Sequence, residues 1–458
     1  MVYVDLNSKK VPVAGDYDVI VVGGGTSGSL AAISSGIEGV RTLVIEQYGA
    51  LGGTETMGLV TPVMAGCVKG DPSYSSISDR IFEKMESMGF GIDDKVKPWR
   101  KGWFDPQILK FVLEEMLVEA GCKILYHTTL IDVVKNDSSI NYIIVHNKNG
   151  LSAYTAKCFI DCTGDADIAC LAGAATESGN DKGMNQGVSL RFQMTNIDLD
   201  KFGAYLESLG QKEDTRYPFI HAAALKGDQW PLYALFDQKL KEGYITETET
   251  TYFQAFSVPG KPKDMAFNCP QLGDGSNVIE ANFVTQKQIE GKRSIIRLAR
   301  FLRDWMPGFE NAYISDVASM LGVRDSRRIT AEYRLSKEDI YYYKKFQDGI
   351  AKSNYPVDIH SYDVIEERPA VDIDESEKYY EIPFRSLIPK GIDNLLTAGR
   401  CIGTDFIAQS SSRVQHTCRA TGEAAGIAAA LYSKECIPFR LMDGRKVRMK
   451  MAARGVDL

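Results

Sequence analysis

The sequence predicts an α/β fold: a Rossmann-like βαβ domain with a central parallel sheet, carrying an inserted α+β domain. Three observations lead there. A short apolar run passes through a glycine-rich turn and a helical segment into a second apolar run that stops on an acid. A second glycine turn follows that acid almost at once. Near the end of the chain, a third strand-like run enters Gly399-Arg400 and then a long Ala/Gly-rich helix. The two ends of the chain thus meet in one domain, with the middle inserted.

The first run, Tyr17–Val22, reads Y-D-V-I-V-V, a short apolar β-branched run as in a strand buried on both faces. It leads into Gly23-Gly24-Gly25-Thr26-Ser27-Gly28, which satisfies G-x-G-x-x-G. Gly23 permits the tight turn, Gly25 lets backbone approach a pyrophosphate, and Gly28 lets helix and strand pack closely. The helix Ser29–Ile37 offers its unpaired N-terminal N–H groups to phosphate. The second run, Arg41–Ile45, ends on Glu46, whose carboxylate can accept both hydroxyls of an adenosine ribose. Strand, glycines, helix, strand and acid in this order predict a dinucleotide site. The acid disfavours NADP but leaves NAD and FAD open.

The residues after Glu46 speak to that choice. Gln47-Tyr48-Gly49-Ala50-Leu51-Gly52-Gly53-Thr54 supplies the second backbone approach that an extended FAD needs between pyrophosphate and flavin. Lys123–Lys135 and Asn141–His146 read as strands around the turn Asn136-Asp137-Ser138-Ser139. The strand Ala156–Ile160 enters Asp161-Cys162-Thr163-Gly164-Asp165-Ala166-Asp167, another place where backbone can meet the cofactor. Asn394–Ala398 is a strand, and the helix Thr417–Leu431 carries Gly422 and Gly426 for close packing.

The set G-G-G-T-S-G, E-Q-Y-G-A-L-G-G-T, C-T-G-D-A-D and N-L-L-T-A-G-R-C-I-G resembles FAD-dependent oxidoreductases of the glutathione-reductase superfamily. More narrowly, it is similar to the FAD-dependent oxidoreductase family, distantly akin to the flavoprotein subunits of fumarate reductases. Pro307-Gly308-Phe309, Gly322–Ile329 and Ser412–Gly426 support the narrower match, which thins between about 200 and 285. The resemblance implies that Gly23, Gly25, Thr26, Ser27, Gly28, Glu46 and Gln47 hold the ADP half. Gly52, Gly53 and Thr54 would follow the middle of the cofactor, and Leu130 would meet adenine through its backbone. Thr163, Gly164 and Asp165 form the further glycine turn, while Gly399, Arg400 and Ser412 lie beside the flavin. Two positions depart from the pattern: Cys162 before T-G-D, and His416 where relatives often carry proline.

Around the flavin, three side chains are candidates for catalysis. Arg413 and His416 stand at the start of the terminal helix, where a cation needs an anionic partner against the electropositive helix end. Reduced flavin, a substrate carboxylate or an acid on a neighbouring loop would supply it; His416 reads equally as a packing residue. Arg324, Arg327 and Arg328 form a cluster in which one can clamp an anion and another can tie the two domains together. Arg327 is the one expected to face the site.

The expected layout is a discontinuous FAD domain over roughly 1–75, 105–185 and 380–458, with a substrate-covering domain at 186–380. Gly187–Met194 is its entry strand and Tyr379–Ser386 its exit. Gln286–Met306 reads as an amphipathic helix with Ile289, Ile296, Ala299 and Leu302 apolar. The acidic stretch Glu366–Glu381 reads as a solvated face.

Composition narrows the functional classes. With 44% hydrophobic and 25% charged residues, the 458-residue chain reads as globular rather than disordered. A net charge of −7 argues against a nucleic-acid mode built on a generally basic surface, while a local basic groove stays open. No apolar run reaches membrane-spanning length, and the first fifteen residues lack a signal core. The nine cysteines, Cys67 and Cys162 among them, form no C-x-x-C pair, which predicts a reducing cytoplasm and no redox dithiol. Five histidines without metal-ligand spacing predict no metal site. No second G-x-G-x-x-G follows a strand, so a separate NAD(P) domain is not expected. The function expected is hydride transfer between flavin N5 and a small polar or anionic metabolite. An electron-relay flavin subunit and an FAD-dependent tRNA-modifying enzyme are the alternatives. A homo-oligomeric copy or an electron-accepting protein stays open as partner.

Overall fold

A computed structural model describes residues 10–61, 63–64, 73–88, 102–225, 230–273, 275–360, 369 and 371–458. Cys67 and the first residues of the acidic stretch lie outside this set.

The larger sheet is mixed. Its strands run in the order Lys123–Leu125, Thr42–Ile45, Val13–Val22, Gly150–Asp161, Ser139–Asn147, Thr129–Asn136, and Leu395–Thr397 pairs with Gly150–Asp161. The first four strands and Leu395–Thr397 are parallel, whereas the last three form an antiparallel meander. The parallel sheet expected from sequence is therefore the half that carries the glycine turns. Gly150–Asp161 serves both halves: its N-terminal part pairs with the meander and its last three residues with Leu395–Thr397.

Burial explains the apolar strands. Val19 and Val21 face a core shared with Leu30, Ala31, Ala424 and Ala428 of two helices. Ile20 and Val22 face the opposite core with Phe159, Ile143 and Ala169. Successive side chains point to opposite sides of a strand, so a strand covered on both sides is apolar at every position. The expected strand Lys123–Lys135 is two strands, broken by His127 at a φ of +51°.

The helices Thr26–Ile37 and Gln415–Glu435 lie against each other as Gly422 and Gly426 predict. A Cβ on Gly422 would sit 2.2 Å from Ser27 O, and one on Gly426 2.2 Å from Ala31 O. Ser34 Oγ donates to the Glu423 carbonyl at 2.8 Å across the same contact. Thus residues some 390 apart in sequence share one backbone interface.

The second sheet is antiparallel, in the order Tyr313–Val317, Phe192–Thr195, Lys261–Phe267, Tyr252–Val258, Phe219–Leu225, Thr215–Arg216. The helix Ala281–Trp305 packs on it through Ile295, Leu298, Ala299, Phe301 and Leu302. Ile289 and Ile296, expected on its apolar face, are exposed, because Gly291 and Ser294 set the contact side instead. Of the expected entry strand only Phe192–Thr195 pairs continuously; Ser189 makes single bridges to Gln271 and Gly322. Tyr380–Pro383 pairs with Gly349–Ser353, and Ile350, Ala351, Tyr380 and Ile382 join the core around the long terminal helix.

Candidate functional site

One elongated cavity of about 540 Å³ runs from the glycine turns of the mixed sheet to the inner face of the antiparallel sheet. Its first end is built by close backbone approaches. Gly23 has a φ of +91°, and a Cβ there would meet Cys162 O at 2.4 Å. A Cβ on Gly28 would fall 1.8 Å from Gly23 O, so helix and turn are in contact. Gly25 differs: the nearest atom to an added Cβ is Gly53 Cα, at 3.8 Å. Protein packing therefore leaves room beside Gly25, and that room belongs to the cavity. Gly52 N donates to Gly24 O at 2.9 Å, which draws the second glycine turn beside the first.

These residues fit a pyrophosphate. The helix Thr26–Ile37 opens without a side-chain cap and with no acid in its first turn, so its N–H groups and positive end face the cavity uncompensated. Glu46, at the end of its strand, is buried and accepts from Gly24 N at 2.7 Å and Tyr48 N at 2.9 Å. Burial raises its pKa, and the backbone N–H groups of Tyr48, Gly24 and Gln47 oppose that rise. Gln47, Thr54 and Leu130 complete this end.

Thr163, Gly164 and Asp165 line the middle, where Arg400 Nη2 pairs with Asp165 Oδ1 at 2.7 Å. Asp161 is buried below the turn and accepts from Thr163 N, Thr163 Oγ1 and Ala169 N. Its desolvation moves the pKa up to about 6. Among the described residues, two buried atoms on cavity-lining residues at and just before the terminal helix have no hydrogen-bond partner, Arg413 Nε and Gln415 Oε1. Such orphans are rare in folded proteins and suit a site shaped for a polar ring system.

The far end is walled by Arg191, Arg324, Arg413, Tyr252, Gln254, Asn268, Asp358 and His360. Arg413 Nη2 pairs with Asp358 Oδ2 at 3.2 Å and donates to the Asp358 carbonyl at 2.9 Å. His360 Nε2 lies 3.1 Å from Asp358 Oδ1 and Nδ1 3.2 Å from Gln271 Oε1. Burial would raise the Asp358 carboxyl, but the His360 hydrogen bond and the charges of Arg413 and Arg324 hold it well below the usual range. Burial and Arg324 push His360 down to about 4, so its ring is neutral at pH 7.

Most residues named from sequence meet on this cavity: Gly23, Gly25, Thr26, Ser27, Glu46, Gln47, Gly53, Thr54, Leu130, Thr163, Gly164, Asp165, Arg400 and Arg413. Gly28, Gly52 and Gly399 stand one layer behind as close-packing positions; a Cβ on Gly399 would meet Ser27 Oγ at 2.3 Å. Ser412 is buried off the cavity, with its carbonyl taken by Thr417 Oγ1.

Two catalytic candidates are placed elsewhere. Arg327 donates to the Asp165 carbonyl at 2.7 Å and pairs with Asp167, which makes it a tie to the T-G-D turn. Arg324 is the member of that cluster that faces the cavity. His416 turns away, with Nδ1 2.9 Å from Met64 O and Nε2 3.2 Å from Ser353 Oγ. Arg191, Tyr252, Asn268, Asp358 and His360 were missed. Arg191 carried one signal: it is the lone charge in the apolar run Val188–Phe192.

A glycine-lined βαβ domain joined through one cavity to a cationic pocket under an antiparallel sheet defines a dinucleotide-dependent oxidoreductase. The chain belongs to the FAD dependent oxidoreductase family, whose model matches residues 18–451. FAD is its cofactor, and the glycine-lined end is where the residues fit it. It is 28% identical over 165 residues to a thiamine thiazole synthase of Methanococcus aeolicus, covering 34% of this chain and 58% of that protein. It is 51% identical over 43 residues to a dihydrolipoyl dehydrogenase of Trypanosoma brucei brucei, 9% of each chain. The matched segments thus span less than two thirds of either curated relative. Among solved structures, a geranylgeranyl bacteriochlorophyll reductase-like protein from Thermoplasma acidophilum aligns over 96% of this chain and 84% of its own, at 14% identity and a TM-score of 0.44. The p-nitrophenol 4-monooxygenase PnpA from Pseudomonas putida aligns over 96% and 85%, at 10% identity and a TM-score of 0.45. Among the described residues, no helix is long and apolar enough to cross a membrane.

Proposed function

We propose that this FAD-dependent oxidoreductase transfers a hydride between flavin N5 and a small anionic metabolite. The observation that carries the reading is the continuity of the cavity from the glycine turns to three arginines. FAD, when bound, supplies two-electron hydride chemistry; the chain supplies position and charge. Gly23, Gly25, Thr26, Ser27, Glu46 and Gln47 would hold the ADP half, and Gly53, Thr54, Thr163, Gly164 and Asp165 the middle. Arg400 fixes the Asp165 loop, and Arg413, oriented by Asp358, presents a positive charge beside the flavin end. The antiparallel sheet closes the far end, so a bound substrate is shielded from water and its charge is felt strongly. The scattered thiols support a cytoplasmic setting, and the motif set supports kinship with the glutathione-reductase superfamily.

The test is anaerobic mixing of the FAD-loaded protein with small organic acids and, separately, with NADH and NADPH. Bleaching of the flavin band by an organic acid supports the dehydrogenase direction, and bleaching by a nicotinamide supports a reductase. A protein that no anionic metabolite or nicotinamide reduces, and whose reduced form reoxidises only with a second chain, would favour the electron-relay alternative.

A further inference from the structure

A buried ion pair joins the second glycine turn to the terminal helix. Glu55 closes the short helix Gly53–Glu55, and Arg419 sits on Gln415–Glu435. Arg419 Nε lies 2.9 Å from Glu55 Oε1, and each side chain is 1% exposed. Arg419 Nη1 donates to Ser78 Oγ at 2.8 Å, and its guanidinium carbon stands 5.3 Å from the centre of the Phe82 ring. The neighbours of both charges face the cavity: Gly53 and Thr54 on one side, Gln415 and Cys418 on the other. Burial, and then the charge of Glu55, push the Cys418 thiol up to about 12, so the pair is felt at the cavity wall.

Stability alone does not account for such a pair. The attraction between two buried charges can fall short of the cost of taking them out of water, and apolar residues of similar volume often serve as well. Nor does the terminal helix need Arg419 to fasten it to the segment beside it. One turn further on, Glu423 accepts from Ser75 Oγ at 2.6 Å and lies 3.3 Å from Arg454 Nη1. What the pair adds is a directional tie to the glycine turn. Gln415 Nε2 donates to the Val60 carbonyl at 2.7 Å and Val60 N to the Thr54 carbonyl at 2.9 Å, so the same turn is held at a second point. We infer that Glu55 and Arg419 are positioning residues for FAD: their pair fixes the turn Gly52–Thr54 against the terminal helix, so that two walls of the cavity meet the cofactor in one register. The inference rests on the placement of FAD at the glycine-lined end and needs no particular substrate.

The FAD content of the parent is measured first and tests that placement separately. The variants are Glu55→Gln, Arg419→Met and the two combined. FAD affinity is read by fluorescence titration, the stability of FAD-free protein by urea unfolding, and the midpoint potential of bound FAD by anaerobic dye equilibration. The double variant should unfold at the parent's urea concentration or above it, yet bind FAD about 10-fold more weakly. Glu55→Gln leaves the Arg419 charge uncompensated near the flavin. Reduced flavin, being anionic, should then be favoured about 10-fold over oxidised, which raises the potential by about 30 mV. In Arg419→Met, burial raises the Glu55 carboxyl with no cation to oppose it, so the group takes up a proton and the potential should stay at the parent's. Parental FAD affinity in the double variant, or an unshifted potential in Glu55→Gln, would overturn the inference. So would a double variant that fails to fold, because the pair would then be a requirement of the fold and not of the cofactor.

Discussion

A methyl group at Gly25 separates folding from cofactor binding more cleanly than any other single change. An added Cβ meets only Gly53 Cα, at 3.8 Å, and the backbone there is extended with a φ of −71°. Gly25→Ala should therefore leave the fold intact, or stabilise it by about 0.5 kcal/mol through the unfolded chain. The same methyl projects into the cavity, where backbone must approach the pyrophosphate. Displacing the phosphates from one or two charge-assisted N–H bonds costs about 3 kcal/mol, or roughly a 100-fold loss of FAD affinity. Gly28→Ala is the control, because its Cβ would lie 1.8 Å from Gly23 O and must disrupt the turn itself. The assay is thermal unfolding of FAD-free protein beside fluorescence titration with FAD. If Gly25→Ala binds FAD like the parent, or unfolds as readily as Gly28→Ala, the cavity beside Gly25 is not the pyrophosphate site.

Three further outcomes are expected. Arg413→Met should keep FAD and lose turnover, measured as flavin content against steady-state rate; unchanged activity would remove Arg413 from the site. Arg327→Ala should lower stability by about 1 kcal/mol, read by urea unfolding, with KM unchanged, because its partners are Asp167 and the Asp165 carbonyl. A raised KM would return Arg327 to the substrate pocket. His416 carries a pH signature: burial holds its pKa near 4, against an ordinary 6.5. Between those values the unfolded chain binds the proton and the folded chain does not, so stability falls as pH drops from about 6.5 to about 4. The loss attributable to His416 is about 3 kcal/mol. The stability difference between parent and His416→Gln should shrink by that amount over this range; a difference independent of pH would show that the ring is not held neutral.

The cofactor half of the molecule was legible because its constraints are local. Gly23, Gly28 and Glu46 lie within one βαβ unit, and each answers to a backbone requirement that few residue types meet. Gly422 and Gly426 were readable for the same reason, although their partner helix is at the other end of the chain. The far, cationic end of the cavity was not legible in this way. Arg191, Tyr252 and His360 come from separate strands and loops, and only the closing of one sheet over the other brings them together. The Arg324–Arg328 cluster shows the limit most clearly. Sequence placed three arginines near the site, but the side each faces depends on the T-G-D turn that engages Arg327 and the Gly187 carbonyl that holds Arg324. Ile289 and Ile296 misled because a surface helix can carry isolated apolar residues on its exposed side.

The central claim, that the glycine-lined cavity holds one FAD beside a cationic substrate pocket, meets its most direct test in the visible spectrum of the purified protein. About one FAD per chain, with the flavin band shifted on adding a small anionic metabolite, is the result expected. A colourless protein that takes up no added FAD would contradict it.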